Sequence, residues 1–407
     1  MAPSGAVAAS SSYLVLHAFS GGLDGSQPQA DLTMDSDGNL YGTTVFGGAG
    51  HCSDYEYGGC GVVFRMKHTN QGWIEEAIYS FQGKSDGQCP SAGVVLDSAG
   101  NVYGTTSWGG AQNGTGTVFE LSPTQKRLWT IKVLYTFAGG SPNSNLVLDK
   151  AGNLYGTTGA FDRSASILFQ LSPNPNGSWT ETTLHTFSGA PDGWATTGNL
   201  VLDENGNIYG STQFGGMAGC NTGKSYAGCG TVYQVSPGTS GWTESILYNF
   251  ALGRAVGRSP SGGLLIDSIG SLYGSTSQGG NGIGEVFRLA PSKKGGWQES
   301  VLYRFFGGYL GPDGEFPIGR LAMNDKEIVG ATSQGGRNGL GTVFRVQLSG
   351  AGPRERVLYT FANGSNGSHP KAGVILGSNG AVYGTTYSGG GGTICSGGCG
   401  VVYEIKP

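Results

Sequence analysis

The chain has 407 residues, 78 of them glycine and 16 proline, with only 12% charged side chains and a formal net charge of -4 at pH 7. So much glycine excludes a helical protein, because each Gly costs roughly 1 kcal/mol against Ala inside a helix, while 37% hydrophobic residues with 17 Phe, 19 Tyr and 7 Trp exclude disorder. The charge exerts no pull toward nucleic acid, and no apolar run reaches the ~18 residues of a membrane span, which leaves an all-β chain with many tight turns.

Taken in chain order, residues 1–11 hold no basic segment followed by an apolar one. They read as the tail of a mature chain from which a signal has been removed. Residues 12–19 contain a strand, Tyr13-Leu-Val-Leu-His-Ala-Phe19. Next comes Gly38-Asn-Leu-Tyr-Gly-Thr-Thr44, which returns with anchors at Tyr103, Tyr155, Tyr209, Tyr273, Val329 and Tyr383, a period of about 57 residues. Each copy holds four strand-length apolar segments. In the second copy they are residues 93–97, 101–107, 116–121 and 129–137, with Asp97-Ser-Ala-Gly-Asn101 as the hairpin turn between the first two. Four antiparallel strands repeated seven times specify an all-β, seven-bladed β-propeller, one domain over residues 1–407. The chain ends on a third strand, Gly400-Val-Val-Tyr-Glu-Ile405. The N-terminal strand therefore completes the last blade and closes the ring, leaving no open edge.

The phrases Gly-Asn-Leu-Tyr-Gly-Thr-Thr, Gly-Thr-Val-Phe-Glu-Leu-Ser-Pro and Leu-Tyr-Thr-Phe resemble the GloVer-type tandem repeats of secreted or surface-anchored bacterial proteins. The resemblance covers almost the whole chain. It implies a secreted or surface location and carries over no catalytic residue. The sixth copy departs most, with Val329 in place of the tyrosine.

Three cysteine pairs are close in sequence: Cys52 with Cys60, Cys220 with Cys229, and Cys395 with Cys399. Cys89 is left over. Zinc-ribbon spacing is absent, so local disulfides and an oxidising compartment are expected, with free thiols as the alternative. No metal or other cofactor is expected.

Residues that fit the repeat need no functional explanation. Trp73, Trp129, Trp179, Trp242 and Trp297 each stand eight residues before a strand-end phenylalanine. Asp97, Asp149, Asp203 and Asp267 belong to the first hairpin; Asp24, Asp86, Asp192 and Asp313 recur in blade-to-blade loops. His17 and His185 occupy a slot that is Tyr in five copies and are expected in the core.

What remains gathers in the loops of one face, here called upper, where the long loops 46–61, 214–230 and 388–400 also lie. Phe46, Trp108 and Phe214 share one slot with Gln278 and Gln334, while Trp194 and Tyr387 are further loop residues. Aromatic faces beside amides suit a sugar, which stacks its ring and hydrogen-bonds its hydroxyls; for the phenylalanines, plugging the blade tops is the alternative. Arg254, Arg258, Arg320, Arg337 and Lys371 supply cations for an anionic glycan.

Two enzymatic readings follow. His51 and His369, with Tyr55 and Lys371, provide a base and a carboxylate-neutralising cation for β-elimination from a uronate. Glu285, off the repeat pattern, forms a carboxylate pair with Glu315 or Glu56 for glycoside hydrolysis. A nucleophile elbow, a phosphate loop and a dinucleotide fingerprint are all missing from the sequence. The expected protein is a monomer that binds a poly- or oligosaccharide of acidic type, with neither nucleic acid nor membrane span, and with lyase or hydrolase activity. The alternative is a non-catalytic lectin, adhesion module or protein-interaction scaffold.

Overall fold

The computed structural model describes residues 12–52, 58–111, 114–125, 128–159, 165–217, 219–220, 227–252, 257–279, 283–307, 312–348, 352–362 and 364–406. Seven antiparallel sheets succeed one another along the chain, each with strands A to D in order from the axis outward. In blade 2 these are Val95–Leu96, Val102–Thr106, Thr117–Pro123 and Trp129–Thr136. Strand A comes in two pieces in blades 3 and 5. In blade 7 the N-terminal strand Ser12–Ala18 is strand D, pairing with Val401–Lys406 from Ser12↔Lys406 to Ala18↔Val401. The ring thus closes through the N-terminal strand, as the sequence predicts.

Aromatic contacts between blades explain the repeat. The phenylalanine after each strand D meets an aromatic ring on strand C of the next blade: Phe19 with Phe64, Phe81 with Phe119, Phe187 with Tyr233, Phe361 with Tyr403, at centroid distances of 4.7–5.5 Å. All eight are fully buried, and burial of this kind stabilises each interface by a few kcal/mol. Strand-D tryptophans pack against the strand-B tyrosine of the preceding blade, as Trp73 does on Tyr383 and Trp297 on Tyr209. The glycine after that tyrosine is steric: a Cβ on Gly104 would lie 2.6 Å from Phe119 Cζ.

The first-hairpin aspartates close turns. Asp97 Oδ1 accepts from the N–H groups of Ala99 and Asn101, and Oδ2 from Asn101 Nδ2 and Tyr103 Oη. Against the upward push of burial, these donors hold its carboxyl below the usual range. Blade 6 substitutes a shorter turn, in which Asn324 Oδ1 accepts from the N–H groups of Lys326 and Glu327.

Side chains meet on the axis. Asp31 of blade 1 accepts from Asn199 Nδ2 of blade 4 at 2.6 Å, Asn145 Nδ2 of blade 3 at 3.3 Å and the Gly373 N–H of blade 7 at 2.6 Å. Blade 4 lies across the ring from blade 1, so the contact crosses the centre.

The three expected disulfides are present. Cys60, Cys229 and Cys399 fill a slot occupied by Thr115, Ile283 and Leu340 in other blades, and each bridge packs against the strand-end phenylalanine of its blade, Phe81, Phe250 or Phe19. Cys89 is buried outside these bridges. Among the described residues no helix is long and apolar enough to cross a membrane.

One expectation is corrected. His17 and His185 are not core residues: their side chains are 23% and 24% exposed, and each faces an aspartate, Asp24 or Asp192. The slot sits at the outer strand, where an imidazole reaches the blade-to-blade loop.

Candidate functional site

Among the described residues six blades end at the upper face in a register pair between the entering loop and the end of strand B: Ser26↔Phe46, Gln88↔Trp108, Trp194↔Phe214, Arg258↔Gln278, Glu315↔Gln334 and Ser368↔Ser388. The frame is backbone and recurs; the side chains it carries do not. Backbone bonds such as Gly48 N–H to Gly22 O, and Gly390 N–H to Gly364 O, tie the strand B–C loops to the blade-to-blade loops on this face. Five of the predicted ligand residues, Phe46, Trp108, Phe214, Gln278 and Gln334, therefore occupy equivalent rim positions. Trp194 stands directly across from Phe214. Trp108 is 45% exposed, enough to offer a ring face; Phe46, Phe214 and Trp194 are half-buried, while Gln278 and Gln334 are exposed. Of the partner slot, Ser26, Gln88 and Ser368 escaped sequence reasoning, although the Asp-Gly pairs that precede most of its members mark it.

Next to the Ser368↔Ser388 pair lies a cluster on blade 7. His369 has φ 52°, in a left-handed turn that recurs at Gln27, Cys89, Ala195, Ser259 and Phe316. Its N–H donates to Leu340 O at 2.9 Å, and its carbonyl accepts from the Tyr387 N–H at 3.2 Å. Lys371 Nζ sits 3.4 Å from the centre of the Tyr387 ring, a cation–π contact. Burial and then the neighbouring Lys371 charge hold His369 below the usual imidazole range, so the ring is neutral at pH 7. Burial also lowers the Lys371 ammonium.

The other predicted residues are dispersed. His51 is exposed beside Cys52 in the blade 1 loop; among the described residues no hydrogen bond or ring contact joins it to His369. Arg258 is partly buried, with Nη1 4.0 Å from Cys220 Sγ. Arg337 is exposed in the strand B–C loop of blade 6, and Arg320 is exposed from the axial slot equivalent to Asp31. Tyr55, Glu56 and Arg254 lie outside the described residues.

Glu285 is fully buried. It begins strand C of blade 5, in a slot that is Thr117, Thr231 or Thr342 elsewhere. Its Oε1 accepts the Gly257 N–H at 2.7 Å and its Oε2 lies 3.5 Å from Arg304 Nε. Burial, then the nearby Glu299 charge, push its carboxyl up to about 7. Thr117 and Thr342 hydroxyls bond the equivalent loops at Asp86 O and Asp313 O, so Glu285 braces a loop by the same logic.

Two clefts open at the opposite face between first hairpins. One of about 260 Å³ lies between blades 7 and 1 against Trp73 and Tyr383; one of about 500 Å³ lies between blades 3 and 4 against Leu148, Tyr155 and Leu202. Scaffold residues form both.

A family model, the Gloeobacter/Verrucomicrobia repeat, matches residues 6–226 and again residues 217–407. No curated protein matches the chain. Among solved structures, the chain is similar to a proposed oxidoreductase (glucose dehydrogenase) of Thermus thermophilus, at 16% identity and a TM-score of 0.45, over 97% of this chain and 100% of that one. It is also similar to a proposed gluconolactonase, at 14% identity and a TM-score of 0.36, over 71% of this chain and 80% of that one.

Proposed function

The chain belongs to the Gloeobacter/Verrucomicrobia repeat family, and on that repeated frame we propose a secreted or cell-surface carbohydrate-recognition propeller whose upper face binds acidic glycans. The observation that carries this reading is the rim. One backbone position, repeated round the ring, holds Phe46, Trp108, Phe214, Gln278 and Gln334, with Trp194 and Arg258 in the facing slot. Sugars take aromatic faces and amides together. Since the slots differ between blades, one asymmetric site is favoured over seven equal ones. Exposed Arg320 and Arg337 supply positive charge for carboxylate or sulfate groups. Three disulfides, each packed against the strand-end phenylalanine of its blade, fit an oxidising compartment.

The blade 7 cluster favours β-elimination as the chemistry. Neutral His369 takes the proton from the carbon next to the uronate carboxylate. The C–H electron pair forms a C=C bond, the C–O bond to the leaving sugar breaks, and its oxygen gains a proton from water. Lys371 offsets the charge that develops on the carboxylate. Hydrolysis through Glu285 draws no support from a carboxyl with no exposed surface. The test is incubation with uronate-rich and neutral polysaccharides, reading new reducing ends and the ultraviolet absorbance of an unsaturated uronate. Both signals, lost in His369→Ala and retained in Glu285→Gln, are the expected result. Binding without cleavage would leave a lectin and remove the lyase step. Neither binding nor cleavage with any polymer would overturn the reading in favour of a protein-interaction scaffold.

A further inference from the structure

The His17 and His185 slots recur at every blade interface, which allows the seven to be compared within one chain. The strand-D position carries His17, Tyr79, Tyr135, His185, Tyr248, Tyr303 or Tyr359. The residue before the loop glycine that follows is Asp24, Asp86, Gly139, Asp192, Val256, Asp313 or Asn366. Strand D of the next blade presents Glu75, Ile131, Glu181, Glu244, Glu299, Glu355 or Tyr13. Both histidine interfaces hold Asp and Glu together. Of the five tyrosine interfaces only one does, and there the Tyr303 hydroxyl donates to Asp313 at 2.8 Å. At the His185 interface the set is that of a metal site rather than of a hydroxyl latch.

The geometry agrees. His185, Asp192 and Glu244 each offer a ligand atom within 4.8 Å of the others. His185 Nε2 stands 3.2 and 3.3 Å from the two Asp192 oxygens. That is long for a charge-assisted hydrogen bond, and close to the ~3.4 Å edge between ligands of a tetrahedral zinc at ~2.1 Å. Glu244 Oε1 is buried without a hydrogen-bond partner among the described residues, as are Glu75, Glu299 and Glu355 Oε1 in the equivalent places; of these, only Glu244 has a histidine and an aspartate within metal-ligand reach. A buried carboxylate oxygen left bare is costly; a cation satisfies it. The ligands are held in place from behind. Asp192 Oδ2 accepts the Ser188 N–H at 3.1 Å, and the His185 ring packs edge-on against Phe187 at 4.6 Å. At 24% and 18% exposure, His185 and Asp192 leave access for the ion and for a water ligand.

We propose that His185, Asp192 and Glu244 bind a divalent transition-metal cation of the zinc class. The site joins two blades, stapling blade 3 to blade 4. The test is calorimetric titration of zinc chloride into the full chain after chelator treatment and dialysis. His185→Tyr is the informative variant and His17→Tyr its control, since tyrosine fills this slot in five blades and the fold accepts it there. One equivalent is expected for the wild type and for His17→Tyr, and none for His185→Tyr. Zinc at a hundredfold excess over its Kd is expected to raise the wild-type Tm by about 3 °C and to leave that of His185→Tyr unchanged. No zinc uptake by the wild type, or unchanged stoichiometry in His185→Tyr, would overturn the proposal. Unaltered metal-free Tm and circular dichroism in the variants exclude unfolding as the cause of lost binding.

Discussion

Replacing Glu285 by glutamine isolates the cost of one buried charge. Glutamine keeps the shape and the acceptor that takes the Gly257 N–H. The Glu285 carboxyl titrates near 7, against 4.5 for a solvated glutamate, because burial and Glu299 disfavour its charge. A folded-state value raised above the unfolded one means that the native fold holds the proton more tightly. Stability is therefore full below about pH 4.5 and is lost as pH rises to 7. Each unit is worth about 1.4 kcal/mol, so the ionised side chain costs about 3 kcal/mol at pH 8. Glutamine never ionises and escapes this cost. The variant and the wild type are expected to be about equally stable near pH 4.5, and the variant more stable by about 3 kcal/mol at pH 8, or roughly 4 °C in Tm for a chain of this length. Urea denaturation across pH 4.5–8.5 reads the difference. A stability gap that stays flat with pH would refute the assignment of a buried, proton-holding carboxyl.

Two further substitutions test the frame. Gly104→Ala places a methyl 2.6 Å from Phe119 Cζ, in an interface where Phe119 has no exposed surface to retreat into; overpacking of about 1–3 kcal/mol is expected and is read as a lowered calorimetric Tm. Removing the Cys220–Cys229 bridge with paired serines frees a loop closed at a separation of nine residues, with an expected loss of about 2–3 kcal/mol. Limited proteolysis should then cut between these positions before the other blades.

How far the sequence reaches is clearest from particular residues. The tyrosine-glycine-threonine anchor and the missing fourth strand of blade 7 are local patterns, so the blade count and the closure by residues 12–19 follow from them directly. The rim slot of Phe46, Trp108 and Gln334 is also legible, because strand register carries over from one copy to the next. Glu285 marks a limit. Departure from the repeat singles out a residue without saying whether it faces solvent or a loop backbone, and Glu285 turns inward. His185 shows a different limit. Its partners Asp192 and Glu244 come from a loop and from the next blade, and only the closed ring makes them neighbours. Asp31 meets Asn199 for the same reason, across 168 residues of chain.

Recognition of acidic glycans by the upper face is open to direct titration. Uronate-rich and neutral oligosaccharides are titrated into the wild type and into Trp194→Ala, at low and high salt. The acidic ligand is expected to bind, more weakly as salt rises and at least tenfold more weakly in the variant, in keeping with the 1–2 kcal/mol or more of a stacked ring. Equal affinity of wild type and Trp194→Ala, or no binding of any oligosaccharide, would contradict glycan recognition at this face.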